Sequence, residues 1–178
     1  TIAPKLGYSW GMGIRKQFAS KLSFEGGINY LKRKYIFGVD DLDSSFATTA
    51  EFAIVEYEIP LSAMVHVRLG ERIYMNNSAG LSLNMFKRSE VEYVDDVYYT
   101  FIRKSWMNFA LIANIGWEYR TESSGYFYLG SSYQLPFTKV ISMSADYTKN
   151  VGIEEFNTDM NLGFFTVDLK YYLPGYAE

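Results

Sequence analysis

Polarity along this chain alternates with a period of two. Tyr57, Ile59, Leu61, Ala63, Val65, Val67 and Leu69 alternate with Glu58, Pro60, Ser62, Met64, His66 and Arg68. Successive strand side chains point to opposite faces, so this run predicts a strand with one apolar and one polar face. An average strand has about 5–6 residues, whereas a tilted membrane-crossing strand needs about 9–11. The run exceeds both. The same alternation recurs over residues 5–15, 22–30, 73–85, 107–119, 127–134 and 165–173. One face of each segment is apolar. The other is polar, rich in Gly and Ser, with single charges.

Connections divide into two kinds. Those around Gln17–Lys21, Gly70–Arg72 and Arg120–Gly125 are short, and those around Gly38–Glu51, Lys87–Tyr99 and Lys149–Asn157 are long. Alternating tight turns and long loops mark outer-membrane barrels. The pattern therefore predicts an all-β, antiparallel, up-and-down transmembrane β-barrel as a single domain over residues 1–178. Seven strands can be counted, or eight if residues 125–149 break in two near Pro136. Because such barrels have even strand numbers, the expectation is eight: residues 125–149 form one long irregular strand, and the first strand lies upstream of Thr1. Thr1 is no translation start, so a removed leader such as a signal peptide is expected.

Composition narrows the reading. The chain has 178 residues, and 18% are aromatic, with 16 Tyr. Tyr and Trp favour sites with one dry and one wet end. Tyr30, Tyr35, Tyr57, Trp106, Trp117, Tyr119, Tyr126, Tyr171 and Tyr172 fall toward strand ends, where interfacial girdles would lie. The net charge of −3 argues against nucleic acid as a partner. There are no cysteines, which excludes disulfides and thiolate metal sites. No apolar run approaches the roughly 18 residues of a membrane helix.

The segment Tyr57-Glu58-Ile59-Pro60-Leu61, a short turn, then Ile73-Tyr74-Met75 leading to Ala79-Gly80 resembles the outer-membrane β-barrel domain common in Bacteroidota. That domain is similar to the OmpX and OmpA transmembrane barrels. Phe109–Tyr119, Tyr126–Leu135 and a closing strand at Phe165–Leu173 also fit. The resemblance covers about residues 5–173. It implies a bacterial outer-membrane location, with long loops extracellular and the C-terminus periplasmic. The chain departs from the family in its missing first strand and in the Pro174–Glu178 tail.

Candidate chemistry is sparse. His66 is the only histidine, so a zinc site would lack its usual ligands. Ser62 shares its face but lies about 13 Å away by strand rise, too far for a Ser–His pair. Gly7, Gly11 and Gly13 lack the Lys-Ser or Lys-Thr of a phosphate loop. The inward polar positions Arg15, Glu25, Glu58, His66, Arg68, Glu118, Asp168 and Lys170 carry both signs. They are expected to pair as a lumenal network, since unpaired buried charge is costly, and an eight-stranded lumen is too narrow for a channel. Lys32, Arg33, Lys34, Lys87, Arg88, Arg103 and Lys104 fall at one rim and are candidates to contact lipopolysaccharide phosphates. Asp40, Asp41, Asp43, Glu90, Glu92, Asp95, Asp96, Glu154 and Glu155 make the loops acidic, without a calcium-loop spacing.

These features point to a non-enzymatic barrel, a structural or accessory subunit of an envelope complex. Its external loops would be the contact surface, its partners outer-membrane lipid, lipopolysaccharide and other outer-membrane proteins. No cofactor or metal is expected. The alternatives are a lipid-modifying barrel enzyme and a soluble lipocalin-like ligand-binding barrel. The latter would need its apolar face inside.

Overall fold

Each run of period-two alternation is a strand. The computed structural model describes residues 2–41, 46–87, 90–94, 97–149 and 152–174. The strands are β1 (Ile2–Ala19), β2 (Leu22–Asp41), β3 (Phe46–Arg68), β4 (Ile73–Phe86), β5 (Glu90–Val94), β6 (Val97–Arg103), β7 (Met107–Arg120), β8 (Tyr126–Pro136), β9 (Ile141–Lys149), β10 (Gly152–Met160) and β11 (Phe164–Tyr172). No helix occurs among the described residues.

Seven strands form one antiparallel sheet in the order β1-β2-β3-β4-β7-β8-β11. It curls strongly into a half-barrel. The curl brings distant strands together across the concave face. Lys170 and Tyr172 on β11 reach Glu25 on β2, and Arg15 on β1 reaches Glu118 on β7. β1 and β11 are the two edges of the sheet.

The remaining strands form a second sheet in the order β10-β9-β6-β5. Here the expectation of long loops needs correction. The segments 87–99 and 149–157 are largely paired strand, and β2 and β3 stay in register up to Asp41 and Phe46. Their Val, Tyr, Thr and Phe content favours pairing over irregular loop. The long connections are therefore mostly paired strand: the far ends of β2 and β3 prolong the first sheet, and β5, β6, β9 and β10 make the second. Residues 125–149 are not the one long irregular strand expected: they form β8 and β9, separated at residues 137–140 just after Pro136. Proline gives no N–H to a ladder. Beyond it, Phe137 N donates to Phe109 O, and Val140 N donates to Met160 O, re-forming the pairing in the second sheet.

At the opposite end the turns are tight. In the β7–β8 turn Gly125 has φ +82°, a left-handed conformation that glycine adopts without steric penalty. Thr121 Oγ1 donates to Gly125 O and accepts from Ser124 N, fixing the same turn.

The partition of polarity is inside out. Among the described residues 33 large hydrophobic side chains are exposed, while 13 hydrophobic residues are buried. Leu61, Leu81, Leu111 and Leu135 stand side by side on four neighbouring strands, all on the convex face and all exposed. Glu56, Glu58, His66, Asn76 and Glu118 are buried on the concave face. Asn77 and Ser131 are polar exceptions on the convex side, where they flank Ile115 in register.

Candidate functional site

The concave face is built in layers, because residues two apart on each strand point the same way. At the turn end, Arg15 donates to Glu118 at 2.5 Å and to Glu25 at 3.2 Å. Lys170 and Tyr172 each donate to Glu25 at 2.6 Å, and Arg120 donates to Glu118 at 2.6 Å. The Arg15 guanidinium also lies over the Tyr172 ring, 3.7 Å from its centroid. Two carboxylates thus share three cations and a phenol, and each charge has a partner.

His66 belongs to the same layer. Its Nε2 is 2.6 Å from Ser23 Oγ, its Nδ1 is 2.7 Å from Asn76 Oδ1, and Asn76 Nδ2 donates to Glu118 at 2.8 Å. The ionised Glu118 only accepts, so Asn76 gives it the NH₂ group and turns its carbonyl to His66. The ring then carries its proton on Nδ1 and offers the Nε2 lone pair to the Ser23 hydroxyl. Arg120 Nη2 comes within 3.4 Å of Nδ1, a contact between two donors. Ser23 is the partner that sequence reasoning missed. Ser62 lies on the same strand as His66, whereas Ser23 comes from β2, whose register brings it beside Met64 and within reach of His66.

The middle layer joins β7, β8 and β11. Tyr128 donates to Asn114 at 2.5 Å, Asn114 donates to Ser132 at 2.7 Å and to Asp168 at 3.3 Å, and Thr166 donates to Asp168 at 2.8 Å. Ser132 also donates to Asp168. Gly116 and Gly130 face each other here, and a Cβ on either would strike the Tyr128 hydroxyl. The two glycines make the room that Tyr128 fills.

Above this lie Glu58, which accepts from Asn29 at 2.8 Å, and Glu56, which accepts from Arg33 at 2.6 Å. Beyond them the interior turns apolar. Tyr35, Phe37, Ala50, Ile54, Phe86, Val140, Ile141, Met143 and Leu162 form one buried cluster. This cluster sits on the same faces of β2 and β3 that carry charges lower down. It is an apolar cap over a polar interior.

Placement of the other expected residues is mixed. Arg68 is exposed and donates to Gly70 O at the turn, so it stands outside the network. Arg33 does not belong with the rim lysines: it is buried, donating to Glu56 and to Leu162 O. Consecutive strand residues face opposite ways, so Lys32-Arg33-Lys34 cannot be one cluster. Lys34, Lys87 and Lys104 are exposed, and Lys32 is half-buried. Lys104 pairs with Asp159 at 2.6 Å, and Arg103 donates to Phe86 O at 2.6 Å. Arg88, Asp43, Asp95 and Asp96 lie outside the described residues, as do the side chains of Asp40, Asp41, Glu90, Glu92, Glu154 and Glu155.

On the convex face Tyr8, Trp10, Tyr30 and Tyr57 form a connected ring cluster toward the hairpin end. Trp117, Tyr119, Phe127 and Tyr171 gather at the turn end, with Tyr119, Phe127 and Tyr171 in register. Tyr35, Tyr126 and Tyr172 depart from the girdle expectation; Tyr126 stands opposite Tyr172 on the concave side, with Arg120 over its ring. Tyr35 joins the cap, and Tyr172 joins the Glu25 network. Outside the band, hydrogen bonding from Lys104 holds the Asp159 carboxyl below its usual value. Lys5 does the same for Glu51.

The described chain is thus an antiparallel half-barrel with charges inside and hydrophobic side chains outside. No family model matches it, and neither does any curated protein or solved structure.

Proposed function

We propose that this chain is a non-enzymatic outer-membrane β-barrel protein, a structural or accessory component of a larger envelope complex, of the Bacteroidota type its strands resemble. One observation carries the reading: apolar side chains cover the convex face while carboxylates, guanidiniums and amides fill the concave one. That is the partition of a bilayer-embedded barrel, and it argues against a soluble ligand-binding barrel. The outward residues from Phe109 to Tyr119 span ten strand steps. That is about 33 Å along the strand, or roughly 25 Å of height at a 40° tilt, matching the apolar band of such proteins. Aromatic residues bound it at both ends.

A bilayer leaves no backbone edge unpaired, so the edges β1 and β11 need covering. Seven alternating strands leave β1 and β11 running the same way. One further strand, antiparallel to both, closes the barrel at eight. The apolar cap and the ion-paired interior argue against a channel. The hairpins beyond the cap are the contact surface for other envelope proteins, extracellular in this orientation, with the tight turns periplasmic. Lys32, Lys34 and Lys87 stand just beyond the Tyr8–Trp10–Tyr30–Tyr57 cluster, where lipopolysaccharide phosphates would lie.

The test is fractionation of cells expressing the chain behind a signal peptide, followed by gels of unboiled and boiled protein. Outer-membrane recovery with heat-modifiable migration is the expected result. A soluble, detergent-free monomer would refute it.

The Ser23–His66–Asn76 arrangement favours a second reading, a lipid-modifying acyl hydrolase. Serine, base and orienting amide are within hydrogen-bond reach in sequence, as nucleophilic catalysis requires. Ser23 is only 1% exposed, which ranks this reading second. Labelling of the wild type by a fluorophosphonate probe, lost in Ser23→Ala, would promote it. No labelling would remove it.

A further inference from the structure

The convex face carries two polar side chains inside its apolar band. Asn77 on β4 and Ser131 on β8 stand on either side of Ile115 in one register row. Ile115 lies one outward step from Trp117 and three from Phe109, so the row falls within the band. Neither polar side chain makes a hydrogen bond among the described residues. Asn77 is ringed by apolar neighbours: Val65 and Ile115 face it across the two strand pairs, and Met75 and Ala79 flank it along β4. Water would satisfy an amide on a soluble surface. Hydrocarbon offers neither donor nor acceptor, so a lipid-facing amide is unfavourable until another polar group reaches it. The surface beside Asn77 is also low. Ala63, Ala79 and Ala113 form the next row on β3, β4 and β7, and all three are exposed. Leu61, Leu81 and Leu111 form the row beyond, so the alanines leave a shallow depression among larger side chains.

We infer that this patch is the interface with a second copy of the chain within the membrane, with Asn77 hydrogen-bonded to the partner subunit's Asn77. A carboxamide carries both donors and an acceptor, so it is its own complement. A two-fold interface sets a surface against its own copy, and the three rows beside Asn77 hold no charge that would repel its like. Small residues let two membrane-embedded surfaces approach closely enough for such a bond to form. A two-fold axis along the membrane normal keeps both sets of hairpins on one side of the bilayer. β4 is the central strand of the seven, farthest from the edges β1 and β11, so the patch is separate from whatever closes the barrel. The inference rests on the membrane reading above.

The chain has no cysteine, so a single introduced thiol reports position. Ala79→Cys and, on another wall, Ile28→Cys are inserted in phospholipid vesicles, insertion is checked by heat-modifiable migration, and each is treated with a short bismaleimide over a series of protein-to-lipid ratios. Expected is a cross-linked dimer in Ala79→Cys and none in Ile28→Cys. Adding Asn77→Leu to Ala79→Cys should shift the midpoint about tenfold toward monomer, while insertion is retained. A chain that does not insert would remove the membrane reading and this inference with it. An inserted chain with no cross-link at Ala79→Cys, or with equal yield at Ile28→Cys, would overturn the inference alone and leave the patch to a different envelope protein. An unchanged midpoint in the Asn77→Leu chain would overturn it as well.

Discussion

Leu81 tests the central physical claim, that lipid covers the convex face. It is 51% exposed and stands in the row Leu61–Leu81–Leu111–Leu135 within the apolar band. In a soluble protein a surface leucine replaced by arginine changes stability by less than about 0.5 kcal/mol. On the lipid face of a barrel, arginine near the midplane costs about 2–4 kcal/mol. That is roughly a 30- to 900-fold fall in the folding equilibrium constant. The assay is reversible urea unfolding of the chain inserted in phospholipid vesicles, followed by tryptophan fluorescence. Leu81→Arg should lower stability by at least about 2 kcal/mol, and Leu69→Arg, beside the turn, by less than about 1 kcal/mol because the penalty falls toward the interface. Equal, negligible effects at both positions would refute the lipid-facing assignment.

Three further outcomes follow from the interior and the hairpin end. Arg15→Ala should cost about 3 kcal/mol in the same unfolding assay, since it strips an ion pair from buried Glu118 and another from Glu25; a loss under about 1 kcal/mol would show that Arg120 and Lys170 suffice. Gly130→Ala should cost about 1–3 kcal/mol by crowding Tyr128, and Tyr128→Leu in the same chain should recover part of that loss; strict additivity of the two changes would refute the shared space. Asp159, held low chiefly by its hydrogen bond from Lys104, should titrate below its usual 3.8 by NMR. Because its folded value is depressed, its contribution is present above the unfolded value and disappears as pH falls through the folded one. A midpoint that does not rise in Lys104→Met would remove Lys104 as the cause.

By itself the sequence determined the seven strands of the curled sheet, the tight turns and the assignment of faces, while the strands of the second sheet were hidden in segments that read as connections. Period-two polarity reports which side chains share a face, and the Gly- and Ser-rich minority face marked the crowded interior. It even carried the cap, since Tyr35 and Phe37 continue the inward series of Ser23, Glu25 and Asn29, although Tyr35 by itself also suits a girdle. Treating Lys32-Arg33-Lys34 as one cluster ignored the same period that had located the strand. Only the tertiary structure decided which inward groups meet. Arg15 and Glu118 are 103 residues apart, and Tyr172 and Glu25 are 147 apart. Ser23 rather than Ser62 reaches His66, and Glu58 faces Asn84 across the strand pair and accepts from Asn29. Such pairings depend on register between strands and on the curl that folds the sheet over itself. Alternation along a single strand carries information about neither, because it is set by burial of each face and not by the partner across it.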